Sequence, residues 1–106
     1  MYRLTILYGH PDDPARFDDY YWNVHVPLAK KMVGLTKWTI GRGESVDPGE
    51  PAPYYLVVGL YADSRADLER ILASPEGRAA VADVPNFATG GVTFVYSHEQ
   101  DLIETP

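Results

Sequence analysis

Apolar and polar positions alternate over the first eight residues. Leu4, Ile6 and Tyr8 fall on one side and Arg3, Thr5 and Leu7 on the other, which predicts a strand from Tyr2 to Tyr8. The period then changes. Between Phe17 and Leu28 the chain reads F-D-D-Y-Y-W-N-V-H-V-P-L, and at about 100° per residue Phe17, Tyr20, Tyr21, Val24 and Leu28 form one stripe of a helix. Asp19, Asn23, Val26 and Lys30 fall opposite. Asp13 before Pro14 supplies an N-cap and an N1 proline, and Gly34 supplies a stop after about Val33. Lys30 and Lys31 suit the negative end of the helix dipole. Pro27 cannot donate to the carbonyl of Asn23 and displaces Val26 from helical backbone, so the helix kinks or restarts there.

The remaining pattern is a second strand over Leu35 to Gly41, a loop from Gly43 to Pro53 rich in proline and acid, and a nearly continuous apolar strand over Tyr54 to Tyr61. Asp63 or Ser64 caps a helix through about Ala73 that buries Leu68, Ile71 and Leu72. Ser74-Pro75 starts a further helical stretch to about Asp83. Val84 to Phe87 returns the chain to a last strand over Gly91 to Ser97. His98 to Pro106 is a polar tail whose Leu102 and Ile103 suit an arm docked on a partner, or disorder. The order β-α-β-β-α-β predicts an α+β fold: one ferredoxin-like domain over residues 1–106 with a four-stranded antiparallel sheet.

Two helices cover only one face of such a sheet. The third strand nevertheless offers Tyr55, Val57 and Tyr61 to one side and Tyr54, Leu56, Val58 and Leu60 to the other, and the last strand sets Val92, Phe94 and Tyr96 against Thr93 and Val95. Exposing about seven such side chains would cost on the order of 10 kcal/mol, comparable to the whole stability of a small domain. A second copy packed sheet to sheet about a two-fold axis is the expected cover, hence a homodimer through the sheet face.

Composition narrows the partners. With net charge −6 and scattered basic residues, the chain is ill-suited to nucleic-acid phosphates or anionic lipid, and no apolar run is long enough to span a membrane. It has no cysteine and begins on an alternating strand rather than a signal-like segment; the expected compartment is the cytoplasm. Gly41-Arg42-Gly43 lacks the P-loop pattern, no nucleophile-base motif is visible, and the three histidines lie at spacings that match no compact metal site. No metal or cofactor is expected.

His25 is the candidate for chemistry. It belongs to neither helical face, flanks Tyr21 and Trp22, and titrates in the range useful for proton transfer near neutrality. The alternative is a structural histidine hydrogen-bonded beside the Pro27 irregularity. Asp18 shares its flank, but seven helical residues put about 10.5 Å between them, so an orienting partner is expected from a facing strand and Asp18 is read as a first-turn acid on the dipole. His10 and His98 are expected in solvent. Tyr21, Trp22 and Trp38, and Phe87 among the other aromatics, could line a pocket for a flat apolar ligand, although most aromatic residues are expected in the core and interface.

With F-D-D-Y-Y-W-N-V-H-V-P-L and the closing A-D-V-P-N-F of Ala82 to Phe87 in place, the chain resembles the EthD family within the dimeric α+β barrel superfamily. The resemblance implies a ferredoxin-like protomer, a homodimer, and a cleft between helices and sheet that holds His25. Founding members belong to an ether-degradation gene cluster without a clear catalytic role, and related barrels include cofactor-independent oxygenases, cyclases and a lactone isomerase. The expected function is cofactor-independent acid-base chemistry on a small apolar, aromatic or polyketide-like metabolite with His25 as acid or base; the alternative is a non-catalytic ligand-binding or accessory protein.

Overall fold

The computed structural model describes residues 1–103. Strand β1 (Tyr2–Tyr8) pairs antiparallel with β3 (Leu56–Ala62) on one side and β4 (Val92–His98) on the other, and β2 (Lys37–Arg42) closes the sheet against β3. The strand order is β2-β3-β1-β4. Helices α1 (Pro14–Tyr20), α2 (Val26–Ala29), α3 (Arg65–Ala73) and α4 (Pro75–Asp83) cover one face. No helix among the described residues is long and apolar enough to cross a membrane.

Local chemistry sets the element ends. The Asp13 side chain accepts from Arg16 N, Ser64 from Asp67 N and Ser74 from Gly77 N, so the starts of α1, α3 and α4 each have one otherwise unmade N–H satisfied. Ser64, not Asp63, caps α3. Leu4, Ile6 and Tyr8 of β1 lie opposite Leu60, Val58 and Leu56 of β3, and this face packs on Phe17, Tyr21, Leu68 and Ile71. Each such buried side chain contributes about 1.5–3 kcal/mol.

The first helical segment departs from the expected straight stripe. Between α1 and α2, Tyr21–His25 form a five-residue π turn, in which Val26 N–H donates back to Tyr21 O. The wider turn advances the buried face by one residue. Val24, expected inside, is 45% exposed, whereas Val26, expected outside, is buried along with Ala29. The same slip carries His25 to 6% exposure. Regular helix ends at Ala29 rather than near Val33; Lys31 and Met32 close tighter turns onto Leu28 O and Ala29 O. Gly34 then adopts φ +112°, a backbone conformation that favours glycine.

The outer face of the sheet is less uniformly apolar than the third and fourth strands suggest. Leu7, Val57, Tyr61 and Val95 are interrupted by Arg3, Thr5, Thr39, Gly59 and Thr93, because β1 and β2 bring polar side chains that the alternation of β3 does not show. Arg3 donates to the Tyr61 hydroxyl at 2.9 Å, and its Nε is buried without a partner. In the tail, Glu99 N donates to Met1 O, while Leu102 and Ile103 are exposed; residues 104–106 of the expected arm lie outside the described residues.

Candidate functional site

His25 closes the π turn and is buried against Phe87 and Tyr21, at ring-centroid distances of 4.6 and 5.3 Å. Its orienting partner comes from a helix end rather than from a strand. Asp83, last residue of α4, places Oδ2 3.0 Å from His25 Nδ1. Carboxylates are disfavoured at a helix C-terminus, so this position needs compensation. It is supplied by side chains: the Tyr20 hydroxyl donates to Asp83 Oδ1 at 2.6 Å and Asn86 Nδ2 donates to the same oxygen at 2.9 Å. Asn86 is brought back onto Asp83 by a single 3-10 turn over Val84–Asn86, which starts immediately after α4.

Protonation follows from these contacts. Burial pushes the Asp83 carboxyl upward, but hydrogen bonds from Tyr20, Asn86 and His25, with the attraction of a charged imidazole, outweigh it and hold Asp83 below the usual carboxylate range. For His25, burial outweighs the hydrogen bond and charge of Asp83, and its pKa lies below its ordinary value of 6.5. At neutral pH the pair is therefore carboxylate and neutral imidazole. An ionised carboxylate only accepts, so Nδ1 carries the ring proton and Nε2 keeps its lone pair.

His25 lines an inner cavity of about 30 Å³ together with Ile6, Tyr8, Tyr21 and Trp38. That is room for one or two waters and far below the volume of a drug-sized site, about 300–1,000 Å³. Outside it, a groove of about 190 Å³ is lined by Tyr21, Trp22, Val26, Lys30, Trp38 and Ile40. Tyr21 and Trp38 wall both spaces. Two of the aromatics singled out by sequence thus share a cavity with His25, while Trp22 lines only the groove and meets Tyr21 edge to face at 5.8 Å. Phe87 is placed differently: it backs the imidazole from the core, touching Tyr8, Phe17, Tyr20 and Tyr21, and its other side faces a depression containing Asp12, Asp13 and Arg16.

Sequence reasoning missed Asp83 as the partner of the histidine, Tyr20 as a donor to Asp83, and Tyr8 as a cavity wall. Asp83 and His25 are 58 residues apart, so no periodicity joins them. The available signal was an acid at the end of a helix, where the dipole disfavours it. Asp18 makes no bond to His25 and lies beyond the first turn; it instead accepts from the Tyr55 hydroxyl at 2.8 Å and from Arg42 at 3.2 Å, tying α1 to β2 and the start of β3. His10 is exposed, with Nε2 2.6 Å from Ala52 O, and His98 is exposed and stacked on Tyr2. Among the described residues no group of three His, Cys, Asp or Glu side chains is placed to hold a metal ion.

The family model described as the EthD domain matches residues 10–91. An 11.0 kDa protein encoded in the thcB-thcC intergenic region of Rhodococcus erythropolis is 44% identical over 103 residues, covering 97% of this chain and 99% of its own length. The crystal structure of an ethyl tert-butyl ether D family protein from Bacillus halodurans superposes with a TM-score of 0.85 at 31% identity, covering 94% of this chain and 99% of that one. A dimeric ferredoxin-like protein from Thermobifida fusca, 17% identical with a TM-score of 0.62, covers 91% and 88% and shares the fold.

Proposed function

The chain belongs to the EthD domain family, and from that premise we propose that it is a homodimeric α+β barrel protein carrying out cofactor-independent proton transfer on a small, largely apolar metabolite. The observation that carries this reading is the buried Asp83–His25 pair beside a cavity. Asp83 fixes the imidazole orientation through Nδ1, leaving Nε2 as the base. When Nε2 takes a proton from a carbon acid, the new imidazolium is held by the carboxylate already facing it, and the proton returns to substrate in a second step. No oxidant is needed for isomerisation or cyclisation; oxidation of the carbanion would take dioxygen as co-substrate. The aromatic walls Tyr21, Trp22 and Trp38 suit a flat, apolar body. The dimeric state of the Thermobifida fusca relative supports pairing through the sheet, where Leu7, Val57, Tyr61 and Val95 would be covered.

A second reading is a binding protein that sequesters the metabolite without converting it. It is favoured by the groove of about 190 Å³, which offers more room than the inner cavity and whose walls do not include His25. Native mass spectrometry of freshly purified protein, followed by incubation of the retained molecule with wild type and with His25→Ala, separates the two. Conversion by wild type and retention without conversion by the variant supports catalysis; unchanged release from both supports sequestration and refutes the proton-transfer role.

A further inference from the structure

The imidazole is one polar wall of the inner cavity, and two others have no assigned role. Tyr8 and Tyr21 retain 1% and 2% of their exposure and both line this cavity. The hydroxyls of Tyr20, Tyr55 and Tyr61 are hydrogen-bonded within the protein, whereas those of Tyr8 and Tyr21 take no partner among the described residues. Unpaired polar groups at such depth call for a ligand or water. Among the described residues the buried, unpaired side-chain atom is Arg3 Nε, on the opposite face of the sheet, so neither hydroxyl is wholly sealed. Both residues line the inner cavity, and Tyr21 lines the outer groove as well. Their rings meet edge to face at 5.9 Å, and Tyr21 lies against the His25 ring, so the two tyrosines and the imidazole wall one cavity.

We propose that Tyr8 and Tyr21 donate hydrogen bonds to one substrate oxygen beside His25 Nε2, and that the substrate class is a carbonyl compound with a removable C–H next to the carbonyl. This deepens the proton-transfer reading and rests on it. In the step assigned, His25 Nε2 forms an N–H bond as the adjacent C–H breaks, the electron pair moves to the carbonyl oxygen, and the two phenols hold the resulting enolate. The imidazolium then returns the proton to carbon, so no co-reactant is consumed. Burial pushes both phenols up, and for Tyr8 the nearby Tyr21 and Asp83 push further, so both are protonated donors at neutrality. Donors held in place toward an oxygen that gains charge are the arrangement that lowers such a barrier. The volumes set the shape: a slender acyl end enters the inner cavity, and an apolar body lies in the outer groove along Trp22, Trp38 and Ile40.

The probe is 4-phenylbutan-2-one carrying a ¹³C-labelled carbonyl, at millimolar ketone and protein, with wild type, Tyr8→Phe, Tyr21→Phe and His25→Ala checked for fold by circular dichroism. Two signals are read: the carbonyl infrared band, and deuterium incorporation next to the carbonyl in D₂O by NMR. Wild type is expected to shift part of the carbonyl band to lower frequency; each Phe variant reduces that shift, and His25→Ala keeps it. Wild-type exchange falls about 10²–10³-fold in each Phe variant and to the buffer rate in His25→Ala. A wild-type sample showing only the free carbonyl band, or Phe variants with an unchanged band, overturns the tyrosine assignment. A shifted band that depends on the tyrosines without exchange above buffer keeps this assignment and overturns the proton-transfer reading instead.

Discussion

Replacing Asp83 by alanine removes the carboxylate that faces His25 Nδ1 at 3.0 Å and accepts from Tyr20 and Asn86. The three partners fare differently. Tyr20 is half-buried and Asn86 exposed, so their freed donors turn to water at little cost. The imidazole is 6% exposed, and its Nδ1–H loses its only hydrogen bond among the described residues. A buried donor left unmade costs about 1–3 kcal/mol, and about 2 kcal/mol is the value expected here because the lost acceptor is charged but its own desolvation is relieved. For a domain of this size that lowers Tm by roughly 10 °C. The assay is urea or thermal unfolding near pH 7.5 at fixed protomer concentration, since dimerisation makes stability concentration-dependent. Asp83→Asn, which keeps the shape and one acceptor, is expected to lose less. In both variants the His25 pKa falls further, because Asp83 supplies the influences that raise it against burial. A loss below about 0.5 kcal/mol, or a gain, would mean that burying the carboxylate costs as much as its hydrogen bonds return, and the argument that it anchors the histidine would fail.

Three further outcomes follow from the same contacts. His25 is held below its ordinary value of 6.5, so the unfolded chain takes up the proton first; stability is full above about pH 6.5 and declines as pH falls toward the folded pKa, a slope that His25→Gln removes in acid unfolding curves. Tyr8 and Tyr21 are pushed above 10.0, so their contribution is intact below that pH and lost as pH rises past it; an alkaline spectrophotometric titration should show two phenols ionising only with unfolding. Val24→Asp should leave the unfolding midpoint within the range of an ordinary surface change, about 0.5 kcal/mol, whereas Val26→Asp should cost more than about 3 kcal/mol; equal effects would contradict the phase slip at the π turn.

That slip marks where sequence reasoning stopped. The order of elements along the chain and the caps at Asp13 and Ser74 were legible because each depends on neighbours in the chain, and at α3 the sequence offered Asp63 or Ser64, of which Ser64 is the cap. The stripe through Tyr21 assumed 3.6 residues per turn, and a single π turn is invisible to that assumption. The buried spacing Tyr21, Val26, Ala29, with five residues and then three, was its trace. Of the aromatics expected near His25, Tyr21 and Trp38 line its cavity, whereas Trp22 lines only the adjacent groove. Asp83 was legible only as part of a short closing motif, since its role arises where the end of α4 meets the π turn, a contact with no local signature. The mixed outer sheet was overestimated as apolar for a similar reason: a face is the sum of four strands, and Arg3, Thr5 and Thr39 belong to strands whose alternation looks ordinary.

Proton abstraction by His25 requires a neutral imidazole whose proton sits on the nitrogen facing Asp83. Histidine-selective ¹⁵N labelling with long-range ¹H–¹⁵N correlation at neutral pH reads this state for His25 directly, with His25→Gln assigning the signals. The expected spectrum shows Nδ1 protonated and Nε2 with the shift of an unprotonated nitrogen. A ring protonated at Nε2 alone, or a charged imidazolium at neutrality, would contradict it.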